Sequence, residues 1–151
     1  MKRILFTLVV LAVLVSACAS KAASSTGTTA TATTLTVSMG DMQKTYTVDD
    51  LKALGAVQET FKDVTYVGVP LTDLLKDAGI DTASVSVVKV VATDGYTMNY
   101  DSSTFALPDT MVAYARADGP LSDTEAPFTM VLPGQEGKMN ARMVVQIVAT
   151  P

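Results

Sequence analysis

The segment Tyr66–Ile80, YVGVPLTDLLKDAGI, leaves its backbone few courses to take. Val64, Tyr66, Val67 and Val69 are β-branched or aromatic and suit a pleated, half-buried strand. Gly68 relaxes the backbone, and Pro70 fixes φ and lacks an N–H, so the strand ends there. The same proline fits at or just before the first helical position, where a missing donor costs nothing. Leu71, Leu74, Leu75 and Ala78 recur at i, i+3, i+4 and i+7, the spacing of one buried helix face. Thr72, Asp73, Lys76 and Asp77 face water, with Asp73 near the positive end of the helix dipole. Gly79 is the left-handed terminator, and Ile80 folds back as the apolar contact behind it. The segment predicts a strand, a corner and a short amphipathic helix against which the rest must pack.

The N-terminal residues predict location. Lys2 and Arg3 precede an apolar run, Ile4–Val15, interrupted only by Thr7 and too short to cross a bilayer. Val15-Ser16-Ala17-Cys18 then resembles the lipobox of bacterial lipoproteins, in which the cysteine is lipidated and becomes the new N-terminus. Cys18 is the only cysteine in the chain; the plainer alternative is a secreted protein cleaved nearby, with Cys18 incidental. The expectation is a leader over residues 1–17, export from the cytoplasm, and a membrane anchor of acyl chains on Cys18 (hence palmitate among its groups). Each buried CH₂ is worth about 0.8 kcal/mol, so several chains on one residue hold firmly. A single cysteine also leaves no disulfide to staple the fold.

Loss of the leader removes two of the eleven basic residues and leaves nine against fifteen acidic ones. That balance argues against nucleic acid as a partner and against electrostatic docking on anionic lipid. Residues 18–34 comprise the anchor cysteine and an Ala/Ser/Thr-rich stretch with almost nothing to bury. As a random coil, such a tether reaches about 20–24 Å.

From Leu35 to the C-terminus, residues 35–151, the pattern is that of one folded domain. Leu35, Val37 and Met39 alternate, Gly40-Asp41 turns, and Met42–Tyr46 returns as the second arm of a hairpin. Thr47 caps a short helix over Val48–Leu54, with Asp50 in the capping-box place and Gly55 ending it. Strands follow over Val57–Phe61 and Val85–Ala92, the latter apolar enough for a sheet interior. After the Asp94-Gly95 turn, Tyr96, Met98 and Tyr100 alternate on a returning strand, and Asp101 caps a helical turn over Ser102–Phe105. Met111–Ala115, Phe128–Leu132 and Arg142–Ala149 complete the strands, with a turn at Asp118-Gly119-Pro120 and a loop over Pro133–Lys138. The fold class is therefore α+β, mostly β, with two or three short helices.

The order YVGVPLTDLLKDAGI, VKVVATDGYTMNY, MVAYARADGPL, FTMVLPG, NARMVVQIVA resembles the molybdopterin-binding domain of the sulfite oxidase superfamily. Members of that family carry a Gly-Val-Pro-Leu corner before a helix, an Asp-Gly-Tyr turn and an Asp-Gly-x-Pro-Leu turn. Here the last is Asp118-Gly119-Pro120-Leu121, one residue shorter. The resemblance spans roughly Thr47–Ala149 and implies the family's compact fold and, as a cofactor, molybdopterin. It implies also that a cysteine upstream of the Gly-Val-Pro corner should bind molybdenum. The matching region, Ala56–Thr65, is AVQETFKDVT and has none. The chain contains no histidine, Arg116 and Arg142 are the only arginines after the leader, and the tryptophan common before the closing strand is Asn140. A phosphate needs fixed donors and positive charge. The expectation is the fold without the metal ligand: no catalytic residue, no metal site and no bound cofactor, in a binding or accessory module. A molybdopterin-dependent oxidoreductase with a reduced cradle is the alternative. The resemblance implies that Gly134–Lys138 and Arg142 rim the cofactor side, where Tyr66 and Tyr96 would line the same cleft and bind by stacking or hydrogen bonding. The plainer reading makes both tyrosines half-buried sheet residues and pairs Arg142 with a surface carboxylate. A membrane-bound redox or transport protein is the expected partner.

Other chemistries find less support. Without histidine, the serines and threonines lack the usual base, and no Ser–Lys spacing replaces it. Asp94 and Asp101 flank the Asp-Gly-Tyr turn as turn former and cap rather than as an acid/base pair. Met39 with Met42, and Met139 with Met143, offer thioethers that favour Cu(I), although methionine's ordinary role is to fill a core. Haem lacks its usual proximal histidine. No Gly-rich phosphate loop, paired-cysteine zinc motif or acidic calcium loop is present.

Overall fold

The computed structural model describes residues 33–151; the leader, Cys18 and all of the tether but its last two residues lie outside them. The chain runs β1 (Leu35–Met39), β2 (Met42–Tyr46), α1 (Val48–Ala53), β3 (Val57–Phe61), β4 (Val64–Pro70) and α2 (Leu71–Asp77). It continues through β5 (Val87–Ala92), β6 (Thr97–Asp101), α3 (Ser102–Phe105), β7 (Met111–Arg116), β8 (Gly119–Pro120), β9 (Thr129–Val131) and β10 (Val144–Thr150). Two 3₁₀ turns, Thr82–Ser84 and Gly137–Met139, complete the set. Short helices among dominant strands make this the α+β, mostly β fold expected. No helix among the described residues is long and apolar enough to cross a membrane.

The strand–corner–helix unit forms as its residues dictate. Pro70 ends β4 and stands as the N-cap of α2, whose Leu71, Leu74 and Leu75 are fully buried. Each of those leucines contributes about 1.5–3 kcal/mol by leaving water. The exit is a Schellman motif: Ile80 N–H donates to Leu75 O at 2.9 Å and Gly79 N–H to Lys76 O at 2.9 Å. Gly79 holds φ at 80°, a conformation in which a Cβ would be strained, and Ile80 is buried behind it. The first helix carries the full capping box, Thr47 accepting from Asp50 N–H while the Asp50 carboxylate accepts from Thr47 N–H at 2.8 Å.

The strands divide into two five-stranded sheets, a division that the sequence pattern does not announce. The first has the order β2-β1-β10-β5-β6, with β1 parallel to β10 and the other pairs antiparallel. The second has the order β3-β4-β7-β8, and β9 also pairs with β7. Between the sheets lies the larger core, to which β1 gives Leu35 and Val37, β5 Val88 and Val90, β10 Ile147, β4 Val69 and β7 Val112. Because strand side chains alternate, Tyr66, Met111 and Ala113 face the other way and form a smaller cluster with Leu121 and Val131.

Three places differ from the sequence reading by more than a single residue at an element's end. The strand expected from Val85 begins at Val87, because Asp81 caps the Thr82–Ser84 turn through Ala83 N–H and holds that segment helical. The closing strand begins at Val144 rather than Arg142, since Met143 sits at φ 55° and a register shift follows it. Gly119-Pro120, expected as turn, pairs with Ala115 and Arg116 as β8.

Candidate functional site

The most polar point of the interior is a carboxylate. Glu125 is 4 % exposed and lies in the segment that covers the smaller cluster. Its Oε1 accepts the Tyr66 hydroxyl at 2.7 Å. Its Oε2 accepts Arg116 Nε at 2.9 Å and Nη2 at 2.7 Å, together with Ser122 N–H at 3.0 Å and Ser122 Oγ at 2.8 Å. Tyr66 comes from β4, Arg116 from the end of β7, and Ser122 from the same turn as Glu125. Burial opposes ionisation of Glu125, but the donors from Tyr66, Ser122 and Arg116 outweigh it and hold the carboxyl at about 2. Burial, and then the hydrogen bond to that carboxylate, push the Tyr66 phenol up. Both oxygens of Glu125 are therefore engaged from within the chain, and the group is a clamp rather than an acid or base.

Two sets of contacts hold the residues expected around one cleft. Tyr66 is buried on the second sheet with its hydroxyl engaged by Glu125, and Arg142 lies near enough for its charge to act on that phenol. Tyr96 stands at the β5–β6 turn of the first sheet, 40 % exposed, and donates its hydroxyl to Lys138 O at 2.9 Å. Lys138 is exposed and pairs with Glu136 at 2.8 Å, and Gly134 turns the same loop at φ 76°. Sequence reasoning overlooked Lys62. An added Cβ on Gly137 would lie 3.1 Å from its Nζ, so the β3–β4 turn meets the 133–139 loop there. Glu125 was overlooked as well. Its signal was the Ser122-x-x-Glu125 spacing of a capping box beside an apolar run.

Two concavities mark the surface. One, of about 260 Å³, is lined by Lys44, Tyr46, Asp50, Leu54 and Asp77; the other, of about 250 Å³, by Val64, Thr65, Arg116 and Asp118. Both fall below the ~300–1,000 Å³ of ligand pockets. Tyr66, Tyr96, Gly134, Lys138 and Arg142 line neither.

A molybdenum–pterin group needs a thiolate for the metal and free cations for its phosphate. The region where the resemblance places the thiolate is a tight hairpin, β3 to β4, turning at Lys62 and Asp63 with φ 48° and 66°. It presents no sulfur. No group of three or more His, Cys, Asp or Glu among the described residues is placed to hold a metal ion. Arg116 is engaged by Glu125, and Lys44, Lys52, Lys76 and Lys138 by Asp77, Asp49, Asp73 and Glu136. The residues present do not fit the group: the described residues offer no thiolate for the metal, and five of their eight cations already have carboxylate partners.

The fold is similar to the crystal structure of the sulfane dehydrogenase SoxCD from Paracoccus pantotrophus, with a TM-score of 0.61 at 19 % identity. The match covers 78 % of this chain and 38 % of that one, so the chain spans well under half the length of that relative. At this identity the likeness is one of fold. No curated protein matches the sequence. The model of the oxidoreductase molybdopterin binding domain matches residues 23–151, and the chain belongs to that family.

Proposed function

We propose that this protein is an exported lipoprotein in which the family's fold serves as a non-catalytic binding or accessory module at the membrane. The observation that carries the reading is the donor set: a domain of this family with no thiolate at the hairpin and no histidine anywhere. Cys18 would hold the acyl chains, and the Ala/Ser/Thr tether would let the domain reach a membrane-bound redox or transport partner. Tyr96, Gly134, Lys138 and the exposed Arg142, whose charge acts on the buried Tyr66, form the surface proposed for contact with a small ligand or that partner.

Family membership favours a second reading, an oxidoreductase that carries molybdopterin in a reduced cradle. Metal analysis and pterin fluorescence on protein purified after export by its native host separate the two. The expected result is molybdenum far below one equivalent and no pterin emission; stoichiometric molybdenum with pterin overturns the non-catalytic reading. Location is tested separately. Cys18→Ser is expected to move the protein from the membrane fraction to the soluble one, and persistence of the variant on the membrane would refute the anchor.

A further inference from the structure

We propose that the outer edge of β6 is a self-association surface, on which a second copy of this chain pairs antiparallel and joins two five-stranded sheets into one. Among the described residues, β6 ends the order β2-β1-β10-β5-β6 and pairs on one side only. Ala92 N–H donates to Tyr96 O at 2.9 Å and Gly95 N–H to Ala92 O at 3.1 Å, with Gly95 at φ 85°. This is a type I turn with a following bulge, and it sets the parity of the ladder. Val90 with Met98, and Val88 with Tyr100, are then the pairs that exchange bonds with β5. Thr97 and Asn99 consequently aim their N–H and C=O groups outward and Asp101 its N–H, the Asp101 C=O being taken up as the N-cap of α3, and all three residues are exposed.

The occupant follows from symmetry and charge. An antiparallel copy centred on Asn99 pairs Asn99 with Asn99 and Thr97 with Asp101, forming about four main-chain hydrogen bonds. Its central pair is neutral, and each Asp101 carboxylate meets a threonine hydroxyl. The other two long edges lack this property. The symmetric centre of β2 is Lys44, and that of β3 is Glu59. Self-pairing of either strand would set like charges directly opposite at about 4.5 Å, an arrangement that destabilises a ladder. Charged residues on edges are the usual guard against such pairing. β6 alone among the three has no charge at its centre, and Tyr96, 40 % exposed, stands next to its first residue.

The test is a cysteine comparison on the full-length chain in detergent, with wild type setting the background from Cys18. In the proposed register the two Asn99 Cα atoms lie about 5.5 Å apart, within the ~4.4–6.8 Å that a disulfide spans. Under mild oxidation Asn99→Cys is expected to give several-fold more covalent dimer than Lys44→Cys or Glu59→Cys. Asn99→Lys, which places like charges at the centre while leaving the exposed position tolerant, is expected to abolish the dimer in sedimentation with the thermal midpoint unchanged. Equal cross-linking at all three edges, no cross-linking at Asn99→Cys, or a dimer that survives Asn99→Lys overturns the proposal.

Discussion

Arg116→Ala is expected to destabilise the domain by about 3 kcal/mol, because a carboxylate 4 % exposed loses the cation paired with it. Tyr66 and Ser122 would still donate to Glu125, so the loss stays at the lower end for a buried pair. Urea unfolding at neutral pH measures it, and a cost under about 1 kcal/mol would mean that water already screens the pair. The double variant Arg116→Met/Glu125→Met is expected to cost less than Arg116→Ala, since it removes the stranded charge together with its partner.

The same clamp makes stability depend on pH. Glu125 is held at about 2 against its ordinary 4.5. Above 4.5 it is ionised in both folded and unfolded chains, and its whole contribution is present. Between 4.5 and about 2 the unfolded chain takes up a proton that the folded one refuses, so stability falls as pH falls. The loss across that window is about 3 kcal/mol. Hydrogen bonds also lower the carboxyls of Asp50 and Asp101 at the surface, as does the Lys44 hydrogen bond for Asp77, so they act in the same direction. In Arg116→Ala the Glu125 carboxyl should rise toward its ordinary value and the acid slope should flatten. A slope equal to that of wild type would place the acid sensitivity elsewhere.

Gly68→Ala is expected to cost about 3 kcal/mol or more. A Cβ on Gly68 would run into Val112 O and lie 2.7 Å from Ala113 Cα. Both belong to β7, which is hydrogen-bonded to β4 in the middle of the second sheet, so neither atom can turn aside. Gly137→Ala provides the contrast, because the atom it meets is the end of the flexible Lys62 side chain. Its expected cost is small. Thermal or denaturant midpoints that rank the two variants in the opposite order would show that β7 can yield.

The sequence reading of Gly68 as a residue that relaxes the backbone gives the right residue for an incomplete reason. Its φ is not in the left-handed region, and what excludes a side chain is the backbone of a strand more than forty positions away. The candidate site shows the same division. Tyr66, Tyr96, Gly134, Lys138 and Arg142 were legible as residue types beside turns and corners. Which of them meet was not. Tyr96 reaches Lys138 O across 42 positions, and Tyr66 reaches Glu125 across 59. Neither the alternation of a strand nor the chemistry of a turn carries information over that span.

The amino-acid order by itself determined the strand–corner–helix unit, the capped first helix, the hairpin turns and the lack of a thiolate or imidazole in the folded domain. These rest on local physics: the fixed φ of proline, the left-handed freedom of glycine, side-chain periods of 2 and 3.6, and simple presence or absence. Only the tertiary structure decided that the strands split into two sheets, that β1 runs parallel to β10, that Gly68 must lack a Cβ and that Arg116 is engaged by Glu125. Each of these depends on which distant backbones come within hydrogen-bonding or van der Waals reach, a quantity set by how the whole core closes and by no single stretch of residues.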